Sequence, residues 1–332
     1  MLRHALPLTE MQIPTLVDGA LAVPDDRGDY WSRRVVRAMG CRAHVIAGDT
    51  PPGVVDWAVD ELERLEQCWS RFRSRSELTQ LNATAGTGNW VEVSASMLLA
   101  LTCAADLHTA TDARFDPTIL DALERAGYDR TFEALTPDGP VDRVHPAAGL
   151  DHRGFGRIEI DAEESRVRVG AGARIDLGGV GKGLAADLVA RGVVDRGAAS
   201  VLVGLGGDLR ARGEPPAGTW NVPVLDPFDE SRTAFHVPLA DGALVSSSTR
   251  IRAWTRNGRR YHHLIDPATG DSARTGIAAV VTAARDAWWA EGIAKSIIIA
   301  GLDAGVRLAR DADVQAWIFL DDGSTVPAGH AR

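Results

Sequence analysis

Side chains able to do chemistry gather in three places along the chain. The run Ala173–Gly192 crowds Gly178, Gly179, Gly181 and Gly183 between a carboxylate, Asp176, and a helix expected to begin near Leu184, with one cation, Lys182, inside the run. Glycine allows positive φ and lets a ligand approach the main chain closely. The helix start beyond it offers free N–H groups and the positive end of a dipole. Together these suit a phosphorylated ligand, although a tight strand-to-helix turn with no ligand would use the same residues. A second stretch, Tyr261–Gly270, carries His263 ahead of Ile265-Asp266-Pro267. Imidazole titrates near neutrality and can take a proton from a hydroxyl. Its neighbour His262 is expected to be exposed. The third place is an apolar helix over 286–300 on which Glu291 and Lys295 stand one turn apart, a spacing that lets them pair.

Two familiar phosphate loops are excluded. A Walker loop needs Gly where Asp176 stands and Ser or Thr where Gly183 stands, and the dinucleotide fingerprint needs Gly where Leu184 stands.

Composition narrows the class further. The chain has 332 residues, 45% of them hydrophobic and 24% charged, an ordinary balance for a globular protein. Its net charge of −9 argues against a general binder of nucleic acid or anionic membrane. The stretch Arg71–Arg75 is expected to be solvated or to face a ligand. Cys41, Cys68 and Cys103 are too scattered for a C-x-x-C site or a disulfide frame and read as small buried residues. No run of about 18 apolar residues offers a membrane span, and the signal-peptide pattern is missing, so a cytoplasmic protein is expected.

The elements that must position these groups follow from patterning. Residues 1–32 read as a loosely ordered leader and 33–332 as the folded part. A strand is expected over 35–46. After Pro51-Pro52, the apolar residues Val54, Val55, Ala58, Leu62, Leu65 and Trp69 give one helical face. Residues 70–82 read as a loop, Val91–Val93 as a short strand, and Ser94 as the cap of a helix. A bend at Asp116-Pro117 precedes another short helix. Residues 134–152 read as a surface connection, and 157–169 as a hairpin. Later strands are expected over 200–203, 220–225, 234–238, 243–245 and 278–283, then a helix over about 304–310 and a closing hairpin from Gln315. Irregular element order and frequent hairpins favour α+β with antiparallel pairing.

In order, the motifs resemble the ApbE family, the FAD:protein FMN transferases. The pieces are Ala38-Met39-Gly40, Phe72-Arg73 with Ser76-Glu77 and Asn82, Phe115-Asp116-Pro117-Thr118, Ile175–Gly183, Gly206-Gly207-Asp208, His263–Pro267 with Thr269-Gly270, and the helix around Glu291. The resemblance implies a duplicated T-fold of two intertwined α+β halves with FAD between them. It implies transfer of FMN from FAD to a Thr or Ser of a partner protein, with AMP released and Mg²⁺ assisting. By matching motif, His263 is the base candidate. Met39, Phe72, Arg114, Phe115, Asp116, Asp176, Lys182, Ser247 and Leu264 would contact the flavin nucleotide. Gly179, through its backbone, and Glu291 would hold the metal. The chain departs from the family where Asp-x-x-x-Thr is usual, having Glu291 and Lys295, and where Ala-Thr-Ser-Gly is usual, having Val245-Ser246-Ser247-Ser248. A protonated lysine cannot ligate a metal. Three readings therefore stand open: an active transferase, an FAD-binding relative that has lost or altered metal-dependent transfer, and an FAD pyrophosphatase.

Overall fold

The computed structural model describes residues 31–135, 154–215 and 218–329. The expected leader, up to residue 30, and most of the expected connection at 134–152 lie outside them. Within them the main sheet has eight strands: β1 (Trp31–Ala38), β2 (Cys41–Gly48), β3 (Ser200–Leu205), β4 (Asp208–Gly213), β5 (Gly242–Ser248), β6 (Ile277–Ala284), β7 (Gln315–Leu320) and β8 (Thr325–Ala328). They lie side by side in chain order, every neighbour antiparallel. The α+β expectation holds.

The strand expected over 35–46 is two strands. Met39 (φ 52°) and Gly40 (φ 66°) form a two-residue turn between Ala38 and Cys41. Positive φ at both central residues is what a type I′ hairpin turn requires. Gly206 and Gly207, with φ of 57° and 107°, repeat the device between β3 and β4. Because β1 to β4 alternate in direction, both turns lie at the same end of the sheet.

Alternation along the strands feeds two cores. On one face Ala43, Val45, Val203, Val245 and Val280 meet helices α1 (Val54–Trp69), α3 (Ala95–Ala110), α5 (Gly181–Asp195) and α6 (Ala287–Ala300). On the other, Ile46, Leu202, Leu244 and Val281 meet the hairpin formed by Trp220–Asp226 and Asp229–Leu239. Helix α1 buries the expected face, and Ser94 caps α3 by accepting the Met97 N–H at 3.1 Å. Helix α2 (Glu77–Ala83) lies inside the stretch expected to be a loop, capped by Ser76, whose hydroxyl accepts the Thr79 N–H at 3.0 Å. Helices α4 (Leu120–Ala126) and α7 (Leu302–Asp311) complete the set among the described residues. None of these helices is long and apolar enough to cross a membrane.

Helices α5 and α6 cap one another. Asp187 of α5 accepts the N–H groups of Ala287 (3.0 Å) and Trp288 (2.9 Å), and Glu291 of α6 accepts that of Gly183 (2.8 Å). Each carboxylate thus satisfies donors that a helix start leaves open. The approach is close enough that a Cβ on Gly183 would sit 2.4 Å from the Ala287 carbonyl oxygen. Gly183→Ala is expected to cost about 1–3 kcal/mol by overpacking, read as a lower denaturant midpoint at unchanged slope.

Candidate functional site

Beside the end of the sheet that carries the two glycine turns lies a cavity of about 370 Å³, a volume in the range of small-molecule sites. From the first half of the chain Met39, Phe72, Arg114, Phe115 and Asp116 line it, and from the second Asp176, Gly179, Lys182, His263 and Leu264. Ser247 does not join them. It lies on β5 opposite Val280 of β6, on the helix-covered face, and also borders a second cavity of about 350 Å³ lined by Phe228, Arg250 and Arg260. Glu291 sits behind the first cavity with no exposed surface.

The glycine loop works by close approach, not by unusual backbone. None of Gly178, Gly179, Gly181 and Gly183 has positive φ. A Cβ on Gly179 would meet the Phe115 ring at 2.7 Å, as one on Gly183 would meet α6. Helix α5 starts at Gly181, earlier than expected, so Lys182 lies in its first turn. A cation there opposes the helix dipole, and two carboxylates offset it. Lys182 Nζ pairs with Asp208 and lies 3.1 Å from Glu291 Oε1. The entry to the loop is pinned by Asn82, whose side chain accepts the Ile175 N–H at 2.7 Å and donates to the Ile175 carbonyl at 2.8 Å.

Arg71 stands in the stretch expected to be solvated or ligand-facing, and it lines the cavity with Arg73. Patterning did not show its pairing: the side chain is nearly buried, with Nε 2.6 Å from Asp176 Oδ2. Its guanidinium lies over the Phe72 and Tyr128 rings, at 4.1 and 4.6 Å, and donates to the Tyr128 carbonyl at 2.9 Å. Tyr128, absent from the sequence reading, stacks in turn near Trp254, with 5.5 Å between centroids. The Met39 turn is fixed by Glu66, which accepts the Met39 N–H at 2.8 Å and lies 3.1 Å from Arg73.

The two histidines divide their work. His262 is buried, contrary to expectation: Nε2 meets the Ala273 carbonyl at 2.9 Å and Nδ1 accepts the Leu264 N–H at 3.3 Å. That pattern places the proton on Nε2. His263 faces the cavity, and its buried Nδ1 has no hydrogen-bond partner among the described residues. Burial, then the charges of Arg252 and Lys295, hold its pKa well below 6.5, so it is neutral at physiological pH. Asp116 presents a second uncommitted atom. Thr118 donates its N–H to Asp116 Oδ1 at 2.8 Å and its hydroxyl to the same atom, while the buried Oδ2 has no hydrogen-bond partner among the described residues, with His108 Nε2 at 3.7 Å. Cys41 is pushed up to about 11 by burial and stays a thiol.

The groups present do not fit a divalent metal on Gly179 and Glu291. Both Glu291 oxygens are engaged, Oε1 by Lys295 at 2.8 Å and Lys182 at 3.1 Å, Oε2 by the Gly183 N–H. Two ammonium groups beside the carboxylate would repel a dication. Among the described residues no three His, Cys, Asp or Glu side chains gather as a metal cluster.

Comparison with known proteins agrees with the sequence motifs. The profile of the ApbE family matches residues 39–318. A Treponema pallidum protein named FAD:protein FMN transferase is 29% identical, the alignment covering 91% of this chain and 87% of that protein. One of the same name from Salmonella typhimurium is 26% identical over 76% of this chain and 73% of its own. Among solved structures, the ApbE protein of Thermotoga maritima superposes with a TM-score of 0.80 at 27% identity, covering 90% of this chain and 97% of that one.

The burial of Arg71 sets an expected contrast with Arg73. Removing one partner of a buried ion pair leaves the other charge stranded, at about 3–5 kcal/mol. Arg71→Met is expected to lose that much in chemical unfolding. Arg73→Met, whose own side chain is partly exposed and whose partners are the half-exposed Glu63 and the less exposed Glu66, is expected to lose less than Arg71→Met.

Proposed function

The chain belongs to the ApbE family, and from that premise we propose that it moves the FMN moiety of FAD onto a Thr or Ser hydroxyl of a partner protein, releasing AMP. The observation that carries the reading is the convergence of a neutral, uncommitted His263 with Lys182 and the glycine loop on one cavity. A phosphoanhydride attacked by a hydroxyl needs a base, fixed geometry and charge to meet the phosphates.

Each part has a residue in this reading. His263 takes the proton from the acceptor hydroxyl. The hydroxyl oxygen bonds to the FMN phosphorus, the bond to the bridging oxygen breaks, and AMP leaves with that oxygen. Lys182 meets the pyrophosphate from the first turn of α5. Met39 and Phe72 contact the nucleotide at the hairpin turn and the aromatic wall. Arg114, Phe115 and Asp116 serve the adenosine side, where Asp116 Oδ2 is free to accept from a ribose hydroxyl. Asp176, fixed by Arg71, and Leu264 complete the wall. Ser247 does not line this cavity. Mg²⁺ in the family would supply positive charge to the phosphates; the groups present do not fit it, and no step is routed through it.

Incubation with FAD and a candidate acceptor is expected to raise the acceptor mass by one FMN. Retained FAD with no labelled acceptor would overturn the transfer reading. His263→Asn is expected to lower the turnover rate by about a hundred- to ten-thousandfold with FAD still bound. Only the neutral imidazole accepts a proton, and the pKa of His263 lies below 6.5. The rate should therefore be flat through neutrality and fall only on the acid side, below pH 6.5. A fall centred above that value would remove His263 as the base.

A further inference from the structure

Lys295 stands one helical turn after Glu291 and lines the cavity beside Lys182. Its ammonium donates to Glu291 Oε1 at 2.8 Å, and the same oxygen lies 3.1 Å from Lys182 Nζ. Lys182 in turn pairs with Asp208 of β4. Two cations and two buried carboxylates form a neutral cluster without any further ion. An ammonium has three N–H donors. Glu291 takes one from Lys295, which leaves two for another acceptor in the cavity. A dication added there would face two like charges, whereas a dianion entering from the cavity would meet two unlike ones.

We propose that Lys295 is a built-in cation, whose ammonium binds the diphosphate of FAD where a divalent metal would otherwise sit, so that donor binding and FMN transfer run without Mg²⁺. The inference rests on the transferase reading above. It also gives the departure of this chain from the Asp-x-x-x-Thr pattern a physical role: the metal-binding hydroxyl is replaced by the charge it would have helped to hold. A purely structural pair between Lys295 and Glu291 is the competing account, and it makes a different prediction for ligand affinity.

The test measures FAD affinity of the whole chain by flavin fluorescence, once with EDTA and once with Mg²⁺, and FMN transfer under the same two conditions. Wild-type affinity and rate are expected to agree within about twofold between the two conditions. Lys295→Met keeps most of the length of the side chain, one atom short, and removes its charge. In EDTA it is expected to weaken FAD binding by about ten- to a hundredfold, the loss of a charge-assisted hydrogen bond. Lys295→Thr removes one of the two ammonium groups at Glu291 Oε1 and adds a hydroxyl, and Mg²⁺ is expected to restore part of its lost affinity. FAD binding by the wild type that requires Mg²⁺ would overturn the inference and leave the transferase reading standing. Lys295→Met binding FAD as tightly as wild type would also overturn it, in favour of the structural pair. No FAD binding in either condition would overturn both. The wild-type comparison needs no variant, so poor folding of a substituted chain does not blunt the test.

Discussion

Two lysine ammonium groups and two buried carboxylates share one small volume, and the remainder of the site depends on their balance. Lys182 comes from the first turn of α5, Asp208 from the start of β4, Glu291 and Lys295 from α6. Buried charge is tolerated only when it is paired. These elements therefore cannot shift independently without stranding a charge. The carboxylates respond differently to the same surroundings. Burial would raise Glu291, but Lys182 and Lys295 outweigh it and hold it at about 2. Asp208 is raised to about 6, because burial and the nearby Glu291 outweigh Lys182. The glycine loop is thereby tied to the sheet through one carboxylate and to α6 through the other.

Much of the scaffold was legible in the sequence because periodicity reports burial. Helices α1, α3 and α6 each carry enough apolar residues at helical spacing to be recognised locally. What escaped was set by contacts or by single dihedral angles. The hairpin at Met39-Gly40 was read as one continuous strand, since methionine gives no sign of a left-handed conformation. Helix α2 is only seven residues long and hides in a polar stretch, with Ser76 as its start signal. Strand β4 went unread because Arg210 and Arg212 break its apolar run. Arg210 is nevertheless buried, paired with Asp187 and Asp241. In β4 tertiary partners override local preference.

The site divides along the same line. Motif order brought ten of the expected residues to the cavity, while Ser247 and Glu291 do not line it. Strand alternation puts Ser247 on the helix-covered face with Val245 and Val280, so its distance from the cavity is set by its position along β5 and not by the face it serves. Adjacent histidines looked alike in the sequence. The fold separates them, spending both ring nitrogens of His262 on backbone groups and leaving His263 uncommitted. The pairing of Arg71 was hidden for a different reason: Tyr128 and Asp176, which surround it, are far away in the chain. Arginine in a run of serines and arginines gives no hint that one member stacks between rings.

The mutual capping of α5 and α6 has a further consequence. Asp187 serves the start of α6, and Glu291 serves the start of α5, each lying one turn beyond the backbone that the other serves. Such an exchange, in which each partner offers the other the same kind of group, is the relation a two-fold axis imposes on a homodimer interface. Here both sides belong to one polypeptide. The contact is free of the mass-action dependence that a dimer would have, since covalent linkage sets a fixed effective concentration. Dilution cannot open it. The linkage also lets the two sides diverge: a lysine precedes Gly183, while an aspartate precedes Ala287. A site built across this contact can carry a net direction that a symmetric pair of identical chains could not.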